Sequence, residues 1–302
     1  MRQDEKQLSL NSQFSTAAEN NRQKLALRGL AIYFIVLVPF SIVFETLMIF
    51  GNLSWFWALM WTPAAASVVA RLSLREGFGD VSFRIGGLRG LKAILFALIF
   101  PIIIGLISYG LAWITSAVHF NPQPIPLVAP FIGDSFSPAV IMLFNIIAAV
   151  IIVTIFSIRT AAGEEIGWRG YMLTRLIDAG VPGPILVSGM IWGVWHVPLI
   201  LGGVYLVGPP PIVAAFLWMV MATAFSFVFA RLRLETGSVW PAIVLHASWN
   251  SLIQVVFDPA SKGPGAALWV GESGIFVTLI MVIAAIIVTR GSWAMRKFPE
   301  TH

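Results

Sequence analysis

Three short stretches hold the residues of this sequence whose types and spacing could do chemistry. Glu164, Glu165 and Arg169 fall in "AGEEIGWRGYM", His196 in "SGMIWGVWHVPLI", and His246 with Asn250 in "WPAIVLHASWNSL". On a helix Glu165 and Arg169 are i and i+4, so they face each other and can pair. Glu164 is turned about 100° away from Glu165 and need not share that arginine. A carboxylate left without a cation and facing a partly dry cavity is poised to act as general base. His246 and Asn250 are again i and i+4, which brings an imidazole N–H and an amide N–H to one point, as an oxyanion needs. His196 lies one turn after Trp192. A carboxylate, two imidazoles and an amide are the ingredients for activating water and stabilising a tetrahedral intermediate, provided that the stretches converge. Each also has a plainer reading. Glu165 and Arg169 could be an interfacial salt bridge, and His196 a satisfied structural histidine. His246 and Asn250 could be an interhelical hydrogen-bond pair, worth about 1 kcal/mol in a membrane.

Composition says what must position these groups. The chain has 302 residues, 58% hydrophobic and 11% charged, with mean hydropathy +0.87. A soluble domain is nearer a quarter charged. Apolar segments run over 29–50, 53–70, 93–118, 138–158, 184–207, 211–230, 239–257 and 268–289, most of them approaching the roughly 20 residues that cross a hydrocarbon core. In lipid the backbone must satisfy itself, so these are helices. The expected fold is all-α, a polytopic membrane protein with about eight transmembrane helices. Residues 1–27 form a polar cytoplasmic tail, read as disordered and lacking the layout of a signal peptide. Residues 28–290 form one transmembrane domain with the motif core over 160–255, and 291–302 a second short tail. The Pro-rich stretch before residue 138 reads as an irregular loop.

Of the 19 Lys and Arg residues, all but Lys262 fall in the two tails and the even-numbered connections. The positive-inside rule makes that side cytoplasmic, with both termini inside. The net charge of +5 therefore reads as topology, with attraction to anionic lipid, and not as a nucleic-acid surface. The lack of cysteine excludes disulfides and thiolate chemistry. Within the spans the ionisable residues singled out are Glu45, His196 and His246, and such residues are usually functional; "GES" at Gly271–Ser273 is read as an interruption at the start of the last segment. Glu45 has no motif partner and is left out of the site. Glu164, Glu165 and Arg169 are placed at or just past the inner end of the fourth span, whereas His196 is ~18 Å into the fifth. A cavity open toward the cytoplasm would reconcile these depths.

Taken in order, the three stretches resemble the motifs of the CAAX-protease and bacteriocin-processing (CPBP, Abi) family. That family includes the type II prenyl endopeptidases (Rce1-like) and the lysostaphin-resistance-protein-A-like bacterial proteins. "EEIGWRG" resembles its E-E-x-x-x-R motif, "WGVWH" its F-x-x-x-H motif and "HASWN" its H-x-x-x-N/D motif, so the resemblance covers residues 164–250. Trp192 stands where phenylalanine is usual and keeps an aromatic, a departure given little weight. The resemblance implies an intramembrane endopeptidase in which Glu164 and His196 activate water and His246 and Asn250 form the oxyanion hole. Glu165, Arg169 and Trp192 would support the site. Members are often labelled metalloproteases, and His and Glu could hold zinc. The H-E-x-x-H helix motif is absent and the two histidines are on different spans, so no metal or other cofactor is expected. The expected partners are the lipid bilayer and a membrane-embedded or lipidated protein or peptide substrate, in a prokaryotic cell membrane. The rivals are a non-catalytic scaffold or immunity protein with the same fold, and a transporter, which the lack of an internal repeat weakens. Other protease signatures fit less well. "VSG" at Val187–Gly189 lacks the first glycine of a serine type, and "GFGD" at Gly77–Asp80 sits in a basic connection with no partner aspartate in a span.

Overall fold

A computed structural model describes residues 2–132 and 136–290, with side chains from residue 18 onward; the tail expected over 291–302 lies outside them. The helices are α1 (Arg2–Phe50), α2 (Phe56–Leu74), α3 (Gly87–Ile114), α4 (Pro138–Asp178), α5 (Pro184–Leu201), α6 (Pro211–Thr236), α7 (Trp240–Trp249, running on into a π-helical stretch, Asn250–Phe257) and α8 (Ile275–Thr289). Six of them are long and apolar enough to cross a bilayer, and α8 is a shorter apolar helix. The fold is thus the all-α membrane bundle that the composition demands. A two-residue ladder pairs His119 with Lys262 and Phe120 with Ser261. It ties the α3–α4 and α7–α8 connections together at one end of the bundle.

Two local expectations change and one holds. The polar N-terminal stretch is no disordered tail, because α1 is one helix from Arg2 onward. The fourth span does not stop near residue 158, because α4 continues to Asp178. Hydropathy ends it early because Thr160, Glu164, Glu165 and Arg169 are polar, yet all four are buried in the bundle. The real stop is "AGVPG", where Gly180 and Gly183 take positive φ. The described part of the Pro-rich stretch is irregular as expected, with neither helix nor strand between Phe120 and Pro138, yet it is anchored. Asn145 accepts from the Ile125 amide at 3.1 Å and donates to the Gln123 carbonyl at 2.8 Å, while Ile125, Val128 and Ile132 pack on Ile141.

Two glycines set the face that α4 presents. A Cβ on Gly163 would lie 2.5 Å from the Met60 carbonyl oxygen, and one on Gly167 2.4 Å from the Pro63 backbone. Only glycine lets α2 rest on the α4 backbone so closely, which is the small-residue packing expected between helices in a membrane.

The turn after the Glu-Glu pair is pinned by arginines. Residues Trp168–Met172 are π-helical, a widened turn common at functional sites whose carbonyls still need partners. Arg233 donates to the Arg169 carbonyl at 3.1 Å and Arg71 to the Gly170 carbonyl at 3.1 Å. Arg71 also pairs with Asp80, and Arg175 pairs with Asp80 at 2.9 Å and Glu76 at 2.8 Å. "GFGD" is therefore a structural clasp between the α2–α3 connection and α4. Burial alone would raise the Asp80 carboxyl, but the hydrogen bonds and charges of Arg71 and Arg175 outweigh it and hold Asp80 below the usual carboxylate range. Stability from a lowered carboxyl is complete above its unfolded value, at pH ~4, and is lost as pH falls through the folded value. Asp80→Asn should therefore lower stability at neutral pH by about 1–3 kcal/mol and flatten the acid limb of a thermal-unfolding pH series in detergent. An unchanged acid limb would count against the clasp.

Candidate active site

Because α4 runs on to Asp178, the motif residues lie inside the bundle and not at its edge. Glu164 is 3% exposed, Glu165 0%, Arg169 1%, His196 6% and His246 6%. The expected mismatch of depth disappears. Glu164 from α4, Trp192 and His196 from α5, and His246 and Asn250 from α7 all line one cavity of about 260 Å³.

The two adjacent carboxylates have different neighbours. Glu165 Oε1 accepts from Arg169 at 2.8 Å, the i,i+4 pair read from the spacing, and also from His246 Nδ1 at 2.8 Å. Arg169 donates its other nitrogen to Ser226 Oγ at 3.0 Å. Its guanidinium lies 4.1 Å from the Phe229 ring centroid and 4.6 Å from that of Trp192. Taking ions out of water costs several kcal/mol each, and this cation is compensated by a carboxylate, a hydroxyl and two aromatic faces. Glu164 makes no such ion pair with Arg169. Its Oε2 accepts from the indole N–H groups of Trp192 at 2.9 Å and Trp168 at 3.3 Å, and its Oε1 lies 3.8 Å from His246 Nε2.

The histidine tautomers follow from their partners. A carbonyl can only accept, so His196 Nδ1, 3.0 Å from the Trp192 carbonyl, carries a proton, and a neutral ring then keeps its lone pair on Nε2. The ring is held edge-on between Trp195 and Trp218, each 4.7 Å away. His246 donates Nδ1–H to Glu165, which aims its Nε2 at the Glu164 side. Asn250 opens the π-helical stretch of α7, and its Oδ1 is buried without a hydrogen-bond donor.

Several groups around the site were missed or undervalued in the sequence. Trp192 is more than a retained aromatic: its N–H holds Glu164, its ring covers Arg169 and its carbonyl orients His196. Trp192→Phe keeps the ring but removes the donor, so it should slow any reaction that depends on Glu164 by about tenfold, the worth of one hydrogen bond to a charged group. Thermal stability should change little. A rate equal to wild type would show that the indole N–H is idle. Glu272, in the "GES" that interrupts the start of the last apolar segment, belongs to the site as well. It is 5% exposed, lines the same cavity, and accepts from Trp249 at 3.1 Å, Gln254 at 2.8 Å and the Tyr205 hydroxyl. Glu45 is buried in α1, but that helix reaches the cavity with Met48 instead.

The cavity walls include Leu53, Val204, Tyr205 and Glu272, from the connections at the end of the bundle opposite the basic residues. Toward the basic side the site is closed by Trp168, Tyr171, Arg71, Arg169 and Arg233, none more than 1% exposed. The connections that line the cavity are thus those at the end opposite the basic residues.

The residues do not form a ready metal site. Glu165 Oε1 is held by Arg169 and His246, Glu164 Oε2 by two indoles, and His196 Nδ1 by a carbonyl. Among the described residues no three His, Asp or Glu side chains are grouped so as to hold a metal ion.

Membrane-crossing helices that bury a carboxylate pair, two histidines and an amide around one cavity define a multi-pass membrane protein with an acid–imidazole site. Residues 135–252, the segment that carries all three motifs, match the family model described as type II CAAX prenyl endopeptidase Rce1-like. Among curated proteins none matches the chain.

Proposed function

We propose that the protein is an intramembrane endopeptidase that hydrolyses a peptide bond of a membrane-associated substrate without a metal. The observation that carries this reading is the asymmetry of the carboxylates. Glu165 is bound by Arg169 and His246, whereas Glu164 keeps one oxygen facing His246 Nε2 at 3.8 Å in the cavity shared with His196 and Asn250.

Water bound between Glu164 and His196 Nε2 gives a proton to Glu164 as its oxygen bonds to the scissile carbonyl carbon. His246 and the Asn250 amide donate to the carbonyl oxygen as it becomes an oxyanion. With His246 protonated, Arg169 and the imidazolium balance the two carboxylates, and a site poor in water favours that neutrality. When the tetrahedral intermediate collapses, the C–N bond breaks and the proton held by Glu164 passes to the leaving amine.

Eight crossings with the basic connections and both termini in the cytoplasm agree with the charge distribution. The cavity then faces the other side of the membrane. A precursor peptide or membrane protein that presents its cleavage site from the bilayer or from that far side suits this geometry better than a prenylated C-terminus arriving from the cytoplasm.

The test is cleavage of membrane-anchored reporter peptides by the full chain in proteoliposomes. His196→Ala and His246→Ala should each lose about 10²-fold or more, and exhaustive chelation should leave the wild-type rate undiminished. Normal cleavage by both variants would overturn the site, and loss of activity on chelation would overturn the metal-free mechanism. Loss of a cellular phenotype in the variants of a protein that cleaves nothing would favour the scaffold reading.

A further inference from the structure

A second cavity, of about 400 Å³, lies at the basic end of the bundle, far from the motif residues, between α3, α6 and α8. Four cations reach it: Arg89 and Lys92 from the first turns of α3, Arg231 near the end of α6, and Arg290 just past α8. Against them stands one carboxylate, Glu235, already paired with Arg231 at 2.6 Å. Arg231 also donates to the Val288 carbonyl at 3.3 Å, which fixes its guanidinium at the cavity wall. No carboxylate pairs with Lys92 or Arg290 among the described residues. Below the cations the walls become apolar, and Phe96 (40% exposed) and Ile287 (61% exposed) face outward from the membrane-crossing parts of α3 and α8.

A ligand that matches this cavity has an anionic head at the level of the helix ends and an apolar tail that runs down between α3 and α8. We infer that it binds the headgroup of an anionic phospholipid of the leaflet on the basic side, with the phosphodiester against Arg89, Lys92 and Arg290 and an acyl chain along Phe96 and Ile287. The surplus of three positive charges favours such a lipid over a zwitterionic one, whose own cation would meet the same residues. The apolar lower wall favours a lipid over a free phosphate. The inference needs only the membrane fold and is independent of the peptidase reading.

The experiment uses the purified, delipidated full chain. Phosphatidylglycerol, phosphatidylcholine and inorganic phosphate are added in turn, and bound lipid is read by native mass spectrometry alongside the thermal-unfolding midpoint. Phosphatidylglycerol should be retained and should raise the midpoint, and the other two should not. Arg89→Gln with Lys92→Gln should weaken phosphatidylglycerol retention by about tenfold or more. Arg84→Gln, an exposed cation on the same connection but outside the cavity, should leave it unchanged. Unaltered retention by the double variant, or an equal loss in Arg84→Gln, would overturn the site. An equal midpoint shift with inorganic phosphate would make it a site for the free anion and overturn the lipid assignment.

Discussion

Glu164→Gln is expected to lower the rate of peptide hydrolysis by about 10³-fold, within the usual range for a general base, while the bundle stays folded. Glutamine keeps the volume of the side chain, and its carbonyl oxygen can still accept from the Trp192 and Trp168 indoles that hold Glu164. It cannot take a proton from water. Arg169 is not a direct partner of Glu164, so removing this charge leaves the Arg169–Glu165 pair standing. The thermal midpoint should therefore stay close to wild type, which separates a chemical defect from a folding defect. Glu165→Gln should behave differently, because it leaves a buried arginine and a histidine facing a neutral amide in place of their shared anion, and stability should fall together with rate. If Glu164→Gln cleaved at nearly the wild-type rate and Glu165→Gln were inactive yet stable, the two roles would have to be exchanged.

The difference between the two glutamates was partly legible in the sequence, and the reason is locality. Glu165 and Arg169 are one helical turn apart, and any helix through that stretch brings them together. The same holds for the shared face of His246 and Asn250. What could not be read is what depends on how helices pack. The bond from His246 to Glu165 joins α7 to α4, and the sequence reading gave Glu165 only its arginine. The length of α4 was misjudged because hydropathy scores Glu164, Glu165 and Arg169 as polar whether they meet water or each other. Trp192 was undervalued because an aromatic-for-aromatic match hides the indole donor. Glu272 is visible as a charge in the last apolar run, 268–289, but "GES" reads there as an interruption, and the rule that charges within spans are functional was not applied to it.

Arg169→Met is expected to cost about 3–5 kcal/mol of stability, the usual penalty for leaving one member of a buried ion pair without its partner. Its guanidinium joins Glu165, Ser226, Trp192 and Phe229 from α4, α5 and α6, so the loss should appear as an early unfolding of the motif core. Adding Glu165→Gln should recover much of that stability, because a buried pair replaced on both sides leaves no uncompensated charge. Activity should not return. His246 would then donate Nδ1–H to a neutral amide, and the anion that favours its imidazolium would be gone. The informative measurement is a double-mutant cycle followed by both unfolding and cleavage, in which stability shows strong coupling and activity shows none. Recovery of both together would mean that the pair only holds α4 in place. Recovery of stability alone would place Glu165 in the chemistry through His246, and it would explain why two carboxylates stand side by side in a helix that can shield only one of them with an arginine.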